Sequence, residues 1–122
     1  MTGAQVFERA MQLAGIDGTQ QNGLAAAAKR RAHAAVCDIY AELFAIEHPS
    51  ESFEPPADMQ TPLRLSARSL HYVMPYGILM LLCLADDAVG DGARYTELYN
   101  RRRSGVRAPR GVRADVLPRG ML

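Results

Sequence analysis

Cysteine is scarce in this chain of 122 residues: only Cys37 and Cys83 are present, and tryptophan is missing altogether. Neither cysteine has a second Cys or a His at ligand spacing, which argues against a zinc site. Both fall inside apolar helical patterns, so they read as small core residues rather than a disulfide pair. Long apolar runs are also lacking. Ile78 to Ala85 is eight residues without a polar side chain, far short of the ~20 that a membrane-spanning helix needs. The chain does not open with a basic segment followed by an apolar run. No signal peptide is therefore expected, and the protein is assigned to a reducing cytoplasm.

A catalytic constellation is missing too. His33, His48 and His71 are scattered, and no Ser/His/Asp ordering has local support. Gly90-Asp91-Gly92 has neither a Walker lysine nor a preceding strand, so it reads as a turn and not a phosphate loop. Asp86, Asp87 and Asp91 lack the spacing and the terminal Glu of a calcium loop. No catalytic, cofactor-binding or metal-binding residue is assigned, and no enzymatic activity is expected.

What is present is a charge division. The net charge is +1. Residues 1–100 carry seven Lys/Arg against twelve Asp/Glu, a balance of −5, whereas residues 101–122 carry seven Arg against one Asp, a balance of +6. Such asymmetry marks a body and a tail with a partner. The length suits one domain, and 48% hydrophobic residues are ample for a core.

Thr2-Gly3-Ala4-Gln5 fits a capping box. Val6, Phe7, Ala10, Met11 and Ala14 follow at helical spacing, and Gly15 supplies a left-handed end. A second, longer helix carries Leu24, Ala28, Ala32, Ala35, Val36, Ile39, Tyr40, Leu43, Phe44 and Ile46 on one stripe, with Pro49 ending it. Residues 49–68 form a long connection with Pro55-Pro56 and Pro62, in which Leu63-Arg64-Leu65 alternates briefly as a short strand or extended segment. Pro75 then either opens the apolar helix at its first turn or, if residues 69–74 are helical, kinks it. A helix apolar all round must be covered all round. The run 78–85 is therefore a central core helix, or one shared with a neighbouring subunit. Asp91 is placed to cap a fourth helix holding Tyr95, Leu98 and Tyr99, and Arg101-Arg102-Arg103 suits its C-terminal dipole.

The reading is all-α: a small antiparallel bundle of about four helices over residues 1–103, and an extended basic arm over 104–122. Gly105, Pro109, Gly111, Pro118 and Gly120 exclude a long helix in the arm, which is expected to be disordered until bound. Three readings of the arm stand open: a solvated terminus, a phosphate-gripping tail, and a protein-docking arm. No aromatic stacking group is present, and valine and leucine are interleaved, which favours docking. The docking residues assigned are Arg101, Arg102, Arg103, Arg107, Arg110, Val112, Arg113, Val116 and Leu117. Subunit packing is assigned to Ala32, Ala35, Val36, Ile39, Leu79 and Leu82, where small and apolar side chains suit a close approach between copies.

The order of features resembles a known family. A capped helix ends Leu13-Ala14-Gly15-Ile16. A long helix with Ile39-Tyr40-Ala41-Glu42-Leu43 follows, then a proline-rich loop, Met74-Pro75-Tyr76-Gly77-Ile78 with its apolar helix, Gly90-Asp91, and a helix ending Tyr99-Asn100-Arg101. In this, residues 1–103 resemble the head–tail connector (adaptor) proteins of long-tailed bacteriophages and related gene transfer agents. The resemblance implies a structural virion protein assembled in the host cytoplasm, forming a homo-oligomeric ring, usually of twelve copies, beneath the portal protein. Such a ring extends the DNA channel without sequence-specific binding, and offers a platform to the next neck or tail-completion protein. In such proteins the C-terminal arm often reaches the portal. No cofactor and no membrane is implied. If acids line the channel, either Asp86, Asp87 and Asp91 or Glu51, Glu54 and Asp58 would repel passing DNA. The alternative is a small nucleic-acid-binding helical protein with an arginine-rich tail.

Overall fold

Thr2 starts the first helix as its sequence dictates. The Gln5 N–H donates to Thr2 Oγ1 at 3.3 Å, and the Thr2 N–H donates back to Gln5 Oε1 at 2.9 Å. These two bonds satisfy amides that a helix start leaves open. In the computed structural model, which describes residues 1–15, 26–83 and 92–108, this helix α1 spans Gly3–Leu13 and turns Val6, Ala10 and Met11 inward. Gly15 follows at φ +77°, the left-handed geometry that favours glycine.

Helix α2 spans Ala26–Glu47. Its buried stripe runs Ala32, Ala35, Val36, Ile39, Tyr40, Leu43 and Phe44, the positions that periodicity predicts. Leu24 and the expected turn before it lie outside the described residues. The connection after α2 forms no strand among the described residues. It is extended, with Leu63 and Leu65 buried and Arg64 exposed. The Leu63 N–H donates to the Met1 carbonyl, and the Ala4 N–H to the Met59 carbonyl, both at 2.8 Å. The loop is thereby sewn to the start of α1. Phe53 wedges between Tyr40 and Phe44, with ring centroids 5.3 and 5.5 Å away. These edge-on geometries add to the area they bury.

The next helical stretch settles the two readings of Pro75. Helix begins at Ala67, and Ser66 caps it: the Ser69 N–H donates to Ser66 Oγ at 3.2 Å. Ser69–Val73 is a π-helical turn, in which the Met74 N–H reaches back to the Ser69 carbonyl. Helix α3, Met74–Cys83, continues from it. Pro75 is therefore inside a continuous helical stretch, and the widened turn takes up the disruption that a proline imposes.

Helix α3 touches α1, α2, the π turn and the last described helix, α4, at Gly92–Arg103. Ile78, Leu79 and Leu82 are fully buried, each contributing about 1.5–3 kcal/mol of apolar transfer. Met80 and Leu81 are half-buried, so the helix is covered on most sides and not on all. The expected end of the run at Asp86-Asp87 and the expected cap at Asp91 lie outside the described residues. Gly77 marks the closest crossing: a Cβ there would stand 2.8 Å from both Ile39 Cδ1 and Tyr99 Cε1.

Two sequence expectations change here. Ala32, Ala35, Val36, Ile39, Leu79 and Leu82, assigned to packing between copies, are 8% exposed or less within one chain. They form its own core, because α1 and α4 close over the faces that the sequence leaves open. The arm also begins later than residue 104. Val106 is buried in the core cluster, and its N–H donates to the Arg103 carbonyl at 3.0 Å, so a hydrophobic anchor holds the chain onto the bundle past the helix end. Residues 109–122, with Arg110, Val112, Arg113, Val116 and Leu117, lie outside the described residues.

Candidate functional site

The π turn is where distant parts of the chain converge. Arg9 of α1 donates Nε to the His71 carbonyl at 3.1 Å. Arg102 of α4 donates Nη1 to the Tyr72 carbonyl at 3.2 Å, and its guanidinium lies 4.7 Å from the Tyr76 ring centroid. An arginine over a tyrosine face is a favourable cation–π arrangement. Beside these residues opens a cleft of about 730 Å³, lined by Ala67, Arg68, His71, Tyr72, Val73 and Arg102. Tyr72 stands 55% exposed at its edge, against a core whose other large apolar side chains are mostly buried.

What positions Arg102 is its neighbour. Arg103 turns inward, its Nη1 2.9 Å from Glu42 Oε1 on α2, while Tyr99, one turn earlier and buried, donates its hydroxyl to the same oxygen. Burial first, and the bond to Glu42 second, push the Tyr99 hydroxyl well above its ordinary value. The Arg103 guanidinium is raised in turn, chiefly by its bond to Glu42. This three-residue junction fixes the roll of α4, and the roll aims Arg102 at the π turn. A second polar junction fixes the start of the turn. Glu47, 4% exposed, accepts from the Ser66 N–H and Ser66 Oγ, both at 2.8 Å, and from Ser69 Oγ. A carboxylate at a helix N-terminus is favoured by the helix dipole, and its three donors offset the cost of burying it.

Charge separates the arginines into two groups. Arg64, Arg101 and Arg103 each meet a glutamate: Glu51 at 2.8 Å, Glu97 at 2.5 Å and Glu42 at 2.9 Å. Arg9, Arg68 and Arg102 form no ion pair among the described residues. Arg30, Arg31 and Arg107 are likewise in no ion pair among the described residues, but Arg9, Arg68 and Arg102 are the ones gathered at His71 and Tyr72. The chain leaves the bundle beside them: a Cβ on Gly105 would lie 3.8 Å from Arg68 Nη2. Of the docking residues assigned from sequence, Arg102 belongs to this surface. Arg101 and Arg103 are held in pairs by α4 and α2. Arg107 donates to the Ser104 and Val106 carbonyls at 2.7 and 2.9 Å. Sequence reasoning missed Arg9, Arg68 and Tyr72. The one available signal was Pro75 with helix on both sides of it.

The remaining chemistry is structural. His48 bridges the Arg64 carbonyl at 2.8 Å and Glu51 at 3.0 Å. Arg64, through its bond, holds the Glu51 carboxyl below its ordinary value. Burial and the Asp38 carboxylate push the Cys37 thiol up, which lowers its thiolate fraction and its nucleophilicity. No three His, Cys, Asp or Glu side chains among the described residues come together as a metal cluster, and no described helix is long and apolar enough to cross a membrane. Comparison of the chain with protein-family models, with curated proteins and with solved structures finds no match.

Proposed function

We propose that the chain is a structural virion protein of the head–tail connector kind, which joins a ring of its own copies beneath a portal and passes DNA through to the next neck component. The observation that carries this reading is the cationic face itself. Arg68 and Arg102 lie uncompensated where an arginine-rich segment departs from a closed helical body. Such a face suits docking to an acidic protein surface, where complementary charge sets specificity and encounter rate. Repetition around a ring would turn individually weak arm contacts into firm attachment.

The test is deletion of residues 109–122, leaving the buried Val106 in place. The truncated chain should keep its helical spectrum and fail to join portal-bearing heads. Normal head joining would overturn the reading. The same unpaired arginines also suit phosphates, which keeps a nucleic-acid-binding protein as the second reading. It requires salt-dependent DNA binding by the isolated chain, with log affinity falling steeply against log salt, read by gel shift at two salt concentrations.

A further inference from the structure

The six residues that sequence assigned to contact between copies are inside the core, so a self-contact must use another surface. We propose that the cleft at the π turn receives the acidic proline loop, Glu51 to Asp58, of a second copy of this chain.

Four observations carry it. First, the cleft offers Arg68 and Arg102 without a carboxylate partner among the described residues, with Tyr72 exposed between them. Tyrosine and arginine are the residue types that most often dominate binding energy at interfaces. Second, the loop offers Glu54 and Asp58, both exposed and in no ion pair among the described residues, next to a Glu51 that Arg64 and His48 already hold. Third, the loop is held ready. Phe53 is packed against Tyr40 and Phe44, Asp58 Oδ1 accepts from the Gln60 N–H at 2.8 Å, and Pro55-Pro56 restricts the backbone. A preordered loop loses little entropy on docking. Fourth, the groove that the loop borders is lined by Tyr40, Phe44, Pro55 and Arg64 among others, and shares no residue with the cleft. Donor and acceptor surfaces are therefore separate patches, as a head-to-tail contact requires, and such contacts close into rings or run on as filaments.

The chain's own arginine tail is the wrong occupant. It carries Arg110, Arg113 and Arg119 against Asp115, and like charges oppose the cleft. In a ring, the loop of the next copy would be the acidic surface that this cationic face meets, and portal docking would fall to the arm beyond Val106. Self-association can hold while portal docking fails, and the two are measured separately.

The test needs only the full chain: analytical ultracentrifugation and size-exclusion chromatography with light scattering across concentration, at low and high salt. The wild type should self-associate at low salt and dissociate at high salt. Arg68→Glu, at an exposed side chain with no ion pair, should weaken association at least about tenfold with its circular dichroism unchanged. Glu54→Arg with Asp58→Arg should do the same. Mixing the two variants, which restores opposite charge across the contact, should recover the assembly. A wild type that stays monomeric at every concentration overturns the proposal, as does self-association that neither variant alters. Loss of DNA binding by Arg68→Glu, with no self-association in the wild type, would assign the cleft to phosphates instead.

Discussion

Arg9 supplies the hydrogen bond that Pro75 withholds from His71. In an unbroken α-helix the carbonyl of residue 71 would accept from the N–H of residue 75, and proline has none. The His71 carbonyl instead accepts from Arg9 Nε at 3.1 Å. Arg9→Ala should therefore cost about 1 kcal/mol in denaturant unfolding. In a Pro75→Ala background, where the backbone can serve its own carbonyl, the same change should cost less. A double-mutant cycle measures the difference, and strict additivity would show that the two residues are not linked.

Gly77 should tolerate no side chain. Its missing Cβ leaves room for Ile39 and Tyr99, each 2.8 Å from where that atom would stand. Both neighbours belong to the packed core, so neither yields cheaply. Gly77→Ala is expected to destabilise by about 1–3 kcal/mol, despite the better helix propensity of alanine. A thermal melt at or above the wild-type midpoint would contradict this.

Glu47 is the acid whose loss should be felt most. It accepts three hydrogen bonds at the start of the π turn. Glu47→Ala leaves the buried Ser69 hydroxyl without its acceptor, at an expected cost of about 2–4 kcal/mol. The exposed Glu97, paired among the described residues with Arg101 on its own helix, should change stability by less than about 0.5 kcal/mol when replaced by Ala. Chemical denaturation of the two variants side by side checks the ranking.

Alkali should unfold the protein through Tyr99. Its folded value is raised above the ordinary 10.0. A group raised on folding contributes stability that is fully present below its unfolded value and is lost as pH rises toward the folded one. Stability should therefore hold up to pH 10 and decline above it, and phenolate absorbance from Tyr99 should appear together with loss of helical signal. Tyr99→Phe should flatten that decline. At the acid end the sign reverses. Glu51, held below its ordinary 4.5 by Arg64, contributes above that value and releases the loop as pH falls beneath it.

Much of the architecture was legible from spacing. The Thr2/Gln5 box, the turn at Gly15, the α2 stripe and the alternation of Leu63-Arg64-Leu65 are local patterns, and local patterns are what a sequence displays. The apolar run at 78–85 was legible as core but not its uneven cover. Leu79 is fully buried while Leu81 is half-buried, so an aspartate at 79 should be far more damaging than one at 81. The site was hidden because its parts are remote in sequence: Arg9 and His71 are 62 residues apart, and Tyr72 and Arg102 are 30 apart. Arg101, Arg102 and Arg103 read as one basic run, yet the 100° step of an α-helix sends one to solvent, one to the π turn and one to Glu42.

The π turn also sets an angular phase. A single widened turn acts as one extra residue in a helix that advances about 100° per residue. It rotates everything after Val73 relative to everything before Ser69. Shortening the segment by one residue would realign the two halves as a plain helix, and either the outward tyrosine or the inward Met74–Leu79–Leu82 seam would then point the wrong way.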